Sequence, residues 1–421
     1  MAMQSDAALE ATSEQAAQEA LEHIHHLADG IGPRPVGSEA DAEAARYVHD
    51  RLMEAGVPEL RRQEFVAPRT LWMPYAIASA AAIFGLVLWV LAGGTAFGAY
   101  LGALGCGFAL WEIYAELNFG WSPLAALVPR ARSHNVFCSF APTEGEGRNA
   151  IVFAHMDTQR TPVFSRSRTG LRLWLVLFYV SFAILLLTLV ALVAAWFTEQ
   201  SLPVWLVYPA LSLAAITLIL MVHADLTPFT RGANDNASAV GVALALARHY
   251  VANPLRNTRL WIVFTSGEEA GCHGASAFLQ EHGENLMQAY VLALEGLGCE
   301  NPTYSLSEGM LRTYRSNSEW LRLAGAVARE QPALGLRPVK LRGGYTEAGL
   351  AVKRGYRSLC LLGLDRSGSL PYRHSPEDTA ARIRPQALAA SYSAALALLQ
   401  RLDERPVSIR LSRVKPLSQR G

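Results

Sequence analysis

The stretch Arg231-Gly232-Ala233-Asn234-Asp235-Asn236-Ala237-Ser238 is small, polar and glycine-containing, and it leads directly into an apolar run, 240–247. That run has the composition of a buried helix, and Asn236 or Ser238 is expected to cap its first turn. Asp235 then lies at a helix start, where a carboxylate is electrostatically favoured. Alone, the stretch is typical of an ordinary capped loop, and its importance comes from the segments around it.

Short apolar strands and helices alternate through much of the chain, which predicts an α/β fold with a mostly parallel central sheet flanked by helices. The expected strands are 149–154, 258–264, 289–294 and 358–362. The expected helices include 276–281, 319–330 and 385–401. Ahead of them, residues 14–58 predict two helices around a loop at 30–35, the second opened by Ser38.

Two long apolar segments interrupt this pattern. Residues 75–111 are almost entirely apolar around Gly93-Gly94, and residues 173–197 and 202–222 are uncharged. About 20 apolar residues cross a bilayer, and helices are the expected form there. Charged residues make up only 17% of the chain, against roughly 25% in soluble domains. We therefore predict two inserted hairpins of about four transmembrane helices, in contact with the lipid bilayer.

Composition excludes some function classes. The net charge of +1 and the absence of a long basic run give no reason to expect a nucleic-acid partner. The five cysteines lack the spacing of a disulfide framework or of a cysteine zinc site. The polar N-terminus lacks an apolar signal core, so no signal peptide is expected.

Ligand-type side chains follow the predicted strands. In open α/β sheets, sites form at the carboxyl ends of the strands, and surface carboxylates would not be confined to that edge. The side chains that follow the four strands in this way are His155, Asp157, Glu268, Glu269, Glu295 and His374. Together with Asp235, they predict one shared site.

Imidazole and carboxylate groups suit zinc, and five ligands are too many for one catalytic ion that keeps a water. They suit two zinc ions that share a carboxylate. Neutral His155 and His374, three carboxylates (Asp235, Glu269 and Glu295) and a bridging hydroxide balance the four positive charges. Glu268 is then placed as general base for the metal-bound water. Asp157 is expected to orient His155 by accepting from its other ring nitrogen.

These residues resemble the di-zinc aminopeptidase family that includes bacterial secreted leucyl aminopeptidases, the vacuolar membrane protease and the glutamate carboxypeptidase/transferrin receptor relatives. The resemblance covers roughly residues 17–69, 133–165 and 226–400. Its motifs are His-Met-Asp at 155–157, Gly-Ala-Asn-Asp-Asn-Ala-Ser at 232–238, Glu-Glu at 268–269, Leu-Glu-Gly around Glu295, His-Ser-Pro-Glu-Asp-Thr at 374–379, and Ile-Gly-Pro-Arg-Pro at 31–35 followed by Gly-Ser at 37–38.

The resemblance implies that His155, Asp235 and Glu295 hold one zinc, and that Asp235, Glu269 and His374 hold the other. Asp235 would bridge the two ions. It also implies a zinc-peptidase fold and cleavage of the N-terminal residue of a peptide substrate, with the free amine held near the metals.

Two positions depart from the family pattern. Position 295 is Glu where the secreted aminopeptidases have Asp, which keeps the ligand chemistry and alters the amine pocket. At Thr346-Glu347 many members carry Ser-Asp, so the pocket wall differs. Tyr345 and Glu347 are therefore candidate substrate-binding residues, and Tyr345 is in addition a candidate to polarise the scissile carbonyl.

The resulting domain organisation is peptidase sequence interrupted by the two membrane inserts. The segments are 1–69 (N-terminal helices), 70–132 (first hairpin), 133–165 (His-x-Asp strand), 166–225 (second hairpin), 226–404 (main peptidase part) and 405–421 (basic tail).

Positive flanks favour the cytoplasm, so the catalytic domain of this multi-pass membrane protein is expected to be cytoplasmic. The arginines flanking the hairpins on the peptidase side are Arg61, Arg62, Arg69, Arg130, Arg132, Arg160, Arg166, Arg168 and Arg172.

Several alternatives remain open. The same fold could serve a carboxypeptidase, another amidohydrolase or a single-zinc glutaminyl cyclase, or a metal-free membrane receptor or scaffold. The hairpins could anchor only, could present membrane-derived peptides, or could form homo-oligomers through small residues such as Gly98, Gly102 and Gly105. Cobalt or manganese could occupy ligands of this kind in place of zinc.

Overall fold

The computed structural model describes residues 2–145 and 147–405, and the side chains from residue 11 onward within those ranges. The predicted basic tail, apart from Arg405, lies outside the described residues.

Within the described residues, nine strands form one sheet in the order β1-β2-β4-β3-β5-β9-β6-β7, with β8 paired to β6. The strands are β1 (Arg61–Pro68), β2 (Arg130–Phe140), β3 (Arg148–His155), β4 (Thr258–Thr265), β5 (Tyr290–Glu295), β6 (Thr303–Glu308), β7 (Tyr314–Arg315), β8 (Arg337–Lys340) and β9 (Arg357–Leu362).

Helices cover the sheet and form the two inserts. They are α1 (Ala2–His25), α2 (Glu39–Glu54), α3 (Trp72–Leu91), α4 (Ala96–Leu117), α5 (Pro123–Leu127), α6 (Arg168–Thr198), α7 (Tyr208–Leu226), α8 (Ser238–Ala252), α9 (His273–His282), α10 (Ser318–Glu330), α11 (Glu347–Lys353) and α12 (Pro385–Asp403). As predicted, Ser38 caps α2, since its side chain accepts from the Asp41 N–H.

The predicted α/β fold is confirmed, and the central strands β4, β3, β5 and β9 are parallel. Alternate residues of β3 enter two cores: Val152 packs beneath α8 and α12, and Ile151 packs beneath α9 and α11. Burial on both faces explains why these strands are continuously apolar. The flanking pairs β1/β2, β2/β4 and β6/β9 are antiparallel, so the sheet is mixed at its edges.

The helix cap expected at Asn236 or Ser238 is wrong. Helix α8 begins after Ala237 with no side-chain cap. The Asn236 amide instead donates to the Leu294 carbonyl and accepts from the Gly296 N–H, and the Ser238 hydroxyl accepts from the Leu297 N–H. These side chains therefore fasten the loop before α8 to the end of β5.

Both apolar inserts are helical hairpins, as expected. The helices 72–91, 96–117 and 168–198, and the segment 204–226, are long and apolar enough to cross a membrane by length and composition. Helix α3 packs on α4 and α7, and α4 packs on α6, so α3, α4, α6 and α7 form a four-helix bundle.

The bundle leaves the sheet at the edge where the central parallel strands end. Pro68, the last residue of β1, pairs with Arg130, the first residue of β2. Because β2 runs antiparallel to β4, Arg130 lies beyond the carboxyl end of β4. The second hairpin leaves after β3 and returns beside it, where the Thr161 N–H donates to the Pro228 carbonyl at 2.9 Å. Both hairpins thus project from the same side of the central sheet.

The glycines considered for oligomer contacts are used inside this bundle instead. A Cβ added at Gly105 would lie 2.6 Å from the Ala81 carbonyl oxygen of α3, and one at Gly102 would lie 3.0 Å from the Leu192 side chain of α6. At Gly98 it would meet Ala92 of the same hairpin at 2.8 Å. These small residues bring the helices of one chain together, which removes the sequence argument for oligomers through them.

Candidate metal centre

The predicted ligand residues meet at the carboxyl edge of the parallel strands. His155 ends β3, Glu295 ends β5, and Glu269 follows β4. Asp235 comes from the loop before α8, and His374 from the loop after β9. These five residues, the ligand cluster, have no side chain more than about one-eighth exposed.

Asp235 lies between the two histidines. Its Oδ1 is 3.4 Å from Nε2 of His155, and its Oδ2 is 3.5 Å from Nε2 of His374. The remaining carboxylates divide between the histidines: Glu295 Oε2 is 3.5 Å from the His155 nitrogen, and Glu269 Oε2 is 3.0 Å from the His374 nitrogen. The cluster therefore consists of two imidazole–carboxylate groups joined through Asp235.

The donor atoms suit metal ions. Two atoms that are each about 2 Å from one tetrahedral zinc lie roughly 3.3 Å apart, which is close to the separations above. Within the described residues, five buried atoms of the cluster have no hydrogen-bond partner, namely Nε2 of His155 and of His374, both carboxylate oxygens of Asp235, and Oε1 of Glu269. Buried polar atoms are rarely left in this state, and a bound cation would satisfy all of them. His155, Asp235 and Glu269 also offer ligand atoms that all lie within 4.8 Å of one another.

The electrostatics of the cluster also favour a bound cation. Burial alone would lower the pKa of His155, but Glu295, Asp157 and Asp235 raise it well above its ordinary value. Burial raises the pKa of Glu269 well above its ordinary value, and neighbouring Asp235 raises it further. Burial, aided by Arg373, lowers the pKa of His374 to about 3, which leaves that imidazole neutral and able to bind a metal. The excess of negative charge is what a bound cation would neutralise.

Glu268 lies beside the ligand cluster, but its carboxylate is farther from the His155 ring than the carboxylates of Asp235 and Glu295 are. Its Oε2 is 3.9 Å from Nε2 of His155, and its side chain lines a cavity of about 590 Å³ together with Glu269 and His374. Burial raises the pKa of Glu268 well above its ordinary value, with Glu269 and Glu295 adding to the rise against the opposing effect of His155. The carboxylate is thus at the cavity wall, where a substrate would meet the cluster.

Asp157 holds the loop that carries the two glutamates. Its Oδ1 accepts from the Glu268 N–H at 3.2 Å, and its Oδ2 accepts from the Glu269 N–H at 3.1 Å. Nδ1 of His155 lies 3.2 Å from the carbonyl oxygen of Asp157 and 3.5 Å from its Oδ1. Asp157 therefore contacts His155 as well as both residues of the Glu-Glu pair.

The two candidate substrate-binding residues lie in different surroundings. Tyr345 lines the cavity and packs edge-on against Phe119. Glu347 is buried, accepts a hydrogen bond from the Thr265 hydroxyl at 2.6 Å and does not line the cavity. Glu347 therefore lies behind the cavity wall, and Tyr345 is the one of the two that a substrate can contact.

Three charged residues near the cluster were not assigned roles from the sequence. Asp378 accepts from the backbone N–H of Asn234 and Asp235. Arg34 is fully buried and donates to backbone carbonyls on both sides of the cluster. Arg373 lines the cavity, with Nε 3.8 Å from Oδ2 of Asp235. Asp378 lies in the His-Ser-Pro-Glu-Asp-Thr motif and Arg34 in the Ile-Gly-Pro-Arg-Pro motif. Membership of these motifs was the sequence signal that could have identified them.

Two histidines and three carboxylates converging at the carboxyl edge of an α/β sheet form a candidate zinc-binding arrangement. Residues 212–399 match the sequence profile described as Peptidase family M28. No protein with a curated function has a sequence that matches this chain.

Solved structures share the fold. The zinc aminopeptidase BSAP from Bacillus subtilis superposes with a TM-score of 0.55 at 14% identity, covering 93% of this chain and 97% of its own. A glutaminyl cyclase from Tannerella forsythia gives 0.53 at 16% identity, covering 91% and 98%. A Zn-dependent exopeptidase from Parabacteroides distasonis gives 0.51 at 14% identity, covering 90% and 96%. At these identities the likeness concerns the fold alone.

Proposed function

We propose that this protein is a membrane-anchored aminopeptidase that uses two zinc ions to hydrolyse the N-terminal peptide bond of peptides. His155, Asp235 and Glu295 would hold one ion, and Asp235, Glu269 and His374 the other. The observation that carries this proposal is the placement of Asp235, whose two carboxylate oxygens approach different histidines at 3.4 and 3.5 Å. One carboxylate shared in this way suits a pair of ions.

Zinc at these ligands would supply Lewis acidity, polarising the scissile carbonyl and acidifying a water molecule. Glu268 is the residue proposed to accept the proton of the attacking water and to deliver it to the departing amine. It is suited to this role because it lines the cavity beside the cluster without being closest to either imidazole. Asp157 fixes the backbone of Glu268 and so keeps the base in place.

Selection of a free amine would take place beside the ligand carboxylates. Glu269 and Glu295 both lie at the cluster, and Glu295 replaces the shorter Asp of the secreted aminopeptidases. The free amine of a peptide would be held near the metals, as the resemblance implies, so the first residue would lie at the metal end of the cavity. Residues after the scissile bond would then extend along the rest of the cavity.

The test is mass spectrometry of short peptides incubated with detergent-purified, zinc-loaded full-length protein. Each peptide is offered with a free and with an acetylated N-terminus. Stepwise shortening of the free form alone is expected. Shortening of the acetylated form from its other end would instead establish a carboxypeptidase, and no change in any peptide by a protein that binds no zinc would favour the receptor or scaffold reading.

Glutaminyl cyclase chemistry is the second candidate, because structures of that class share the fold with TM-scores of 0.52 and 0.53. The same experiment separates it when one peptide begins with glutamine. Cyclisation removes ammonia and leaves the residue count unchanged, whereas an aminopeptidase removes the whole residue. Measuring zinc per chain adds a second criterion, since the aminopeptidase proposal requires two ions.

We further propose that the four-helix bundle spans a bilayer and that the peptidase part faces the cytoplasm. The length and composition of the helices support the first statement, and the arginines flanking them on the peptidase side support the second. Protease added to sealed vesicles tests the orientation. The peptidase part should be protected in spheroplasts and digested in inverted vesicles, and the reverse pattern would place it outside.

A further inference from the structure

The cavity at the candidate metal centre is shared with the four-helix bundle. One end of its wall is polar and contains Glu268, Glu269 and His374. The other end is formed by side chains of α3, α4, α6 and α7 and is largely apolar. They include Tyr75, Ser79, Ile113, Trp174, Phe178, Thr217 and Met221, and Arg168 at the start of α6 is the one charged residue that these four described helices contribute. A single cavity of about 590 Å³ therefore joins the reacting groups to the interior of the bundle.

The cavity reaches well into the bundle. Ser79 lies seven residues after Trp72, where α3 begins, and Phe178 lies ten residues after Arg168, where α6 begins. At 1.5 Å per helical residue, these positions are roughly 10 and 15 Å along their helices. An extended peptide advances about 3.3 Å per residue, so this depth accommodates three to four residues.

Helix α6 leaves room for this cavity. Its buried residues, Leu185, Thr188, Leu192 and Ala195, all lie in its second half, where it packs on α4. The first half has no fully buried side chain, and its Trp174 stacks on Phe164 with ring centroids 4.7 Å apart. The bundle is thus closely packed away from the peptidase sheet and open beside it.

We propose that the natural substrates are apolar peptides drawn from the bilayer, with the three to four residues after the scissile bond lying in the apolar part of this cavity. The inference rests on the proposed function, because an N-terminal exopeptidase leaves one residue at the metal end and all the residues after the scissile bond beyond it. It follows that the hairpins form part of the substrate site. A cavity that served a single side chain would not need to extend into the bundle.

The test compares two peptides of identical composition, so that they do not differ in length or overall hydrophobicity. Leu-Ala-Phe-Leu-Phe-Gly-Ser-Gly-Ser-Gly carries its apolar block next to the first bond, and Leu-Ala-Gly-Ser-Gly-Ser-Gly-Phe-Leu-Phe carries it at the far end. Zinc-loaded, full-length protein in lipid nanodiscs is expected to cleave the first bond of the former with a kcat/KM about tenfold higher or more. Burial of one large apolar side chain is worth at least that factor.

Substitutions deep in the bundle locate the effect. Thr217 is half-buried and faces the cavity, whereas the adjacent Ile216 is 44% exposed on the other face of α7. Thr217→Phe would occupy the cavity and bring the kcat/KM ratio of the two peptides close to one. Ile216→Phe, the matched control, should leave the ratio as in the parent protein. If Thr217→Phe fails to fold, Phe178→Ser tests the part of the cavity wall that α6 contributes. Val180→Ser, at an exposed position of the same helix, is its control.

The outcomes separate this inference from the function on which it rests. Equal kcat/KM for the two peptides would overturn the inference and leave the aminopeptidase proposal standing. If none of the three substrates is cleaved, that is neither of the two peptides nor the soluble dipeptide amide Leu-Ala-NH₂, both the inference and the aminopeptidase proposal would be overturned. Hydrolysis of N-dodecanoyl-leucine without a preference between the two peptides would replace the apolar peptide by a lipid amide. If the kcat/KM ratio of the two peptides falls equally in Thr217→Phe and Ile216→Phe, the cavity would be excluded as the source of the preference between them.

Discussion

The carboxylate of Asp378 accepts a hydrogen bond from the backbone N–H of Asp235 at 3.0 Å and another from that of Asn234 at 2.6 Å. Asp378 is fully buried, and burial raises its pKa to about 8 despite these bonds. The residue proposed to bridge the metals is therefore held in place through its main chain by a second carboxylate. The pairing could not be foreseen, because it joins a side chain to backbone N–H groups 143 residues away and such a contact leaves no pattern in the sequence.

Asp378→Asn should weaken metal binding while leaving the fold intact. An amide can present only one oxygen to the two N–H groups, so the loop of Asp235 loses part of its support. Residues that orient metal ligands typically contribute about 10–100-fold to metal affinity. Competition with a zinc chelator measures the change, and Glu377→Gln, a similar change at the exposed neighbouring residue, is the control. Equal affinities in both variants would contradict the role given to Asp378.

Arg34→Lys should destabilise the protein markedly. The buried guanidinium donates to five backbone carbonyls, those of Leu27, Gly32, Met156, Arg231 and Gly232. Lysine has three donors on one atom, and each buried acceptor left without a partner costs about 1–3 kcal/mol. Thermal unfolding in detergent should show a lower midpoint than in the parent protein. The control is Arg46→Lys on the exposed face of α2, which should leave the midpoint unchanged.

Much of the candidate site could be predicted because parallel strands end at one edge of a sheet. His155 and Glu295 directly end β3 and β5, and Glu269 follows β4 closely, so their meeting follows from strand order alone. Arg34 and Asp378 act on backbone atoms of distant loops. Such contacts leave no periodicity and no charge pattern in the sequence, so only the folded chain displays them.

The fold, like the candidate site, could be predicted only in part. The buried parallel strands are continuously apolar and were predicted. The edge strand β1 and the first half of β2, which pairs only with β1, instead carry exposed polar residues such as Arg62 and Arg132. Edge strands are stabilised by pairing more than by burial, so their hydrophobic signal is weak. The hairpins were recognisable from composition. Their joint cavity with the metal centre was not, since it depends on how α6 is oriented against α3 and α7.

Glu308 should make stability depend on pH. Its buried carboxylate accepts from the Thr346 N–H at 2.9 Å, and burial raises its pKa from 4.5 to about 7. The folded state therefore holds this proton more tightly than the unfolded state. The resulting stabilisation is complete below pH 4.5 and is lost as the pH rises to about 7.

Glu308→Gln removes this titration. Relative to the variant, the parent protein should lose on the order of 3 kcal/mol of unfolding free energy between pH 4.5 and 7 and little above. Denaturant unfolding of both proteins across this pH range measures the difference between their unfolding free energies. The titration of every other group is common to both proteins and therefore cancels in this difference. Glu43→Gln at an exposed position of α2 is the control. A pH-independent difference between the parent and Glu308→Gln would show that folding does not raise the pKa of Glu308.

Glu268→Gln and Asp235→Ala should separate catalysis from metal binding. Glu268 is the proposed base and is 3.9 Å from the nearest imidazole nitrogen, so Glu268→Gln should retain both zinc ions while kcat falls by about 10²–10⁴-fold. Asp235 approaches both histidines, so Asp235→Ala should lose zinc as well as activity. Metal analysis after gel filtration, together with peptide cleavage, distinguishes the two variants. Glu281→Gln, on the exposed side of α9, should keep both properties. Full activity in Glu268→Gln would reject Glu268 as the base, because no amide can accept the proton of the attacking water.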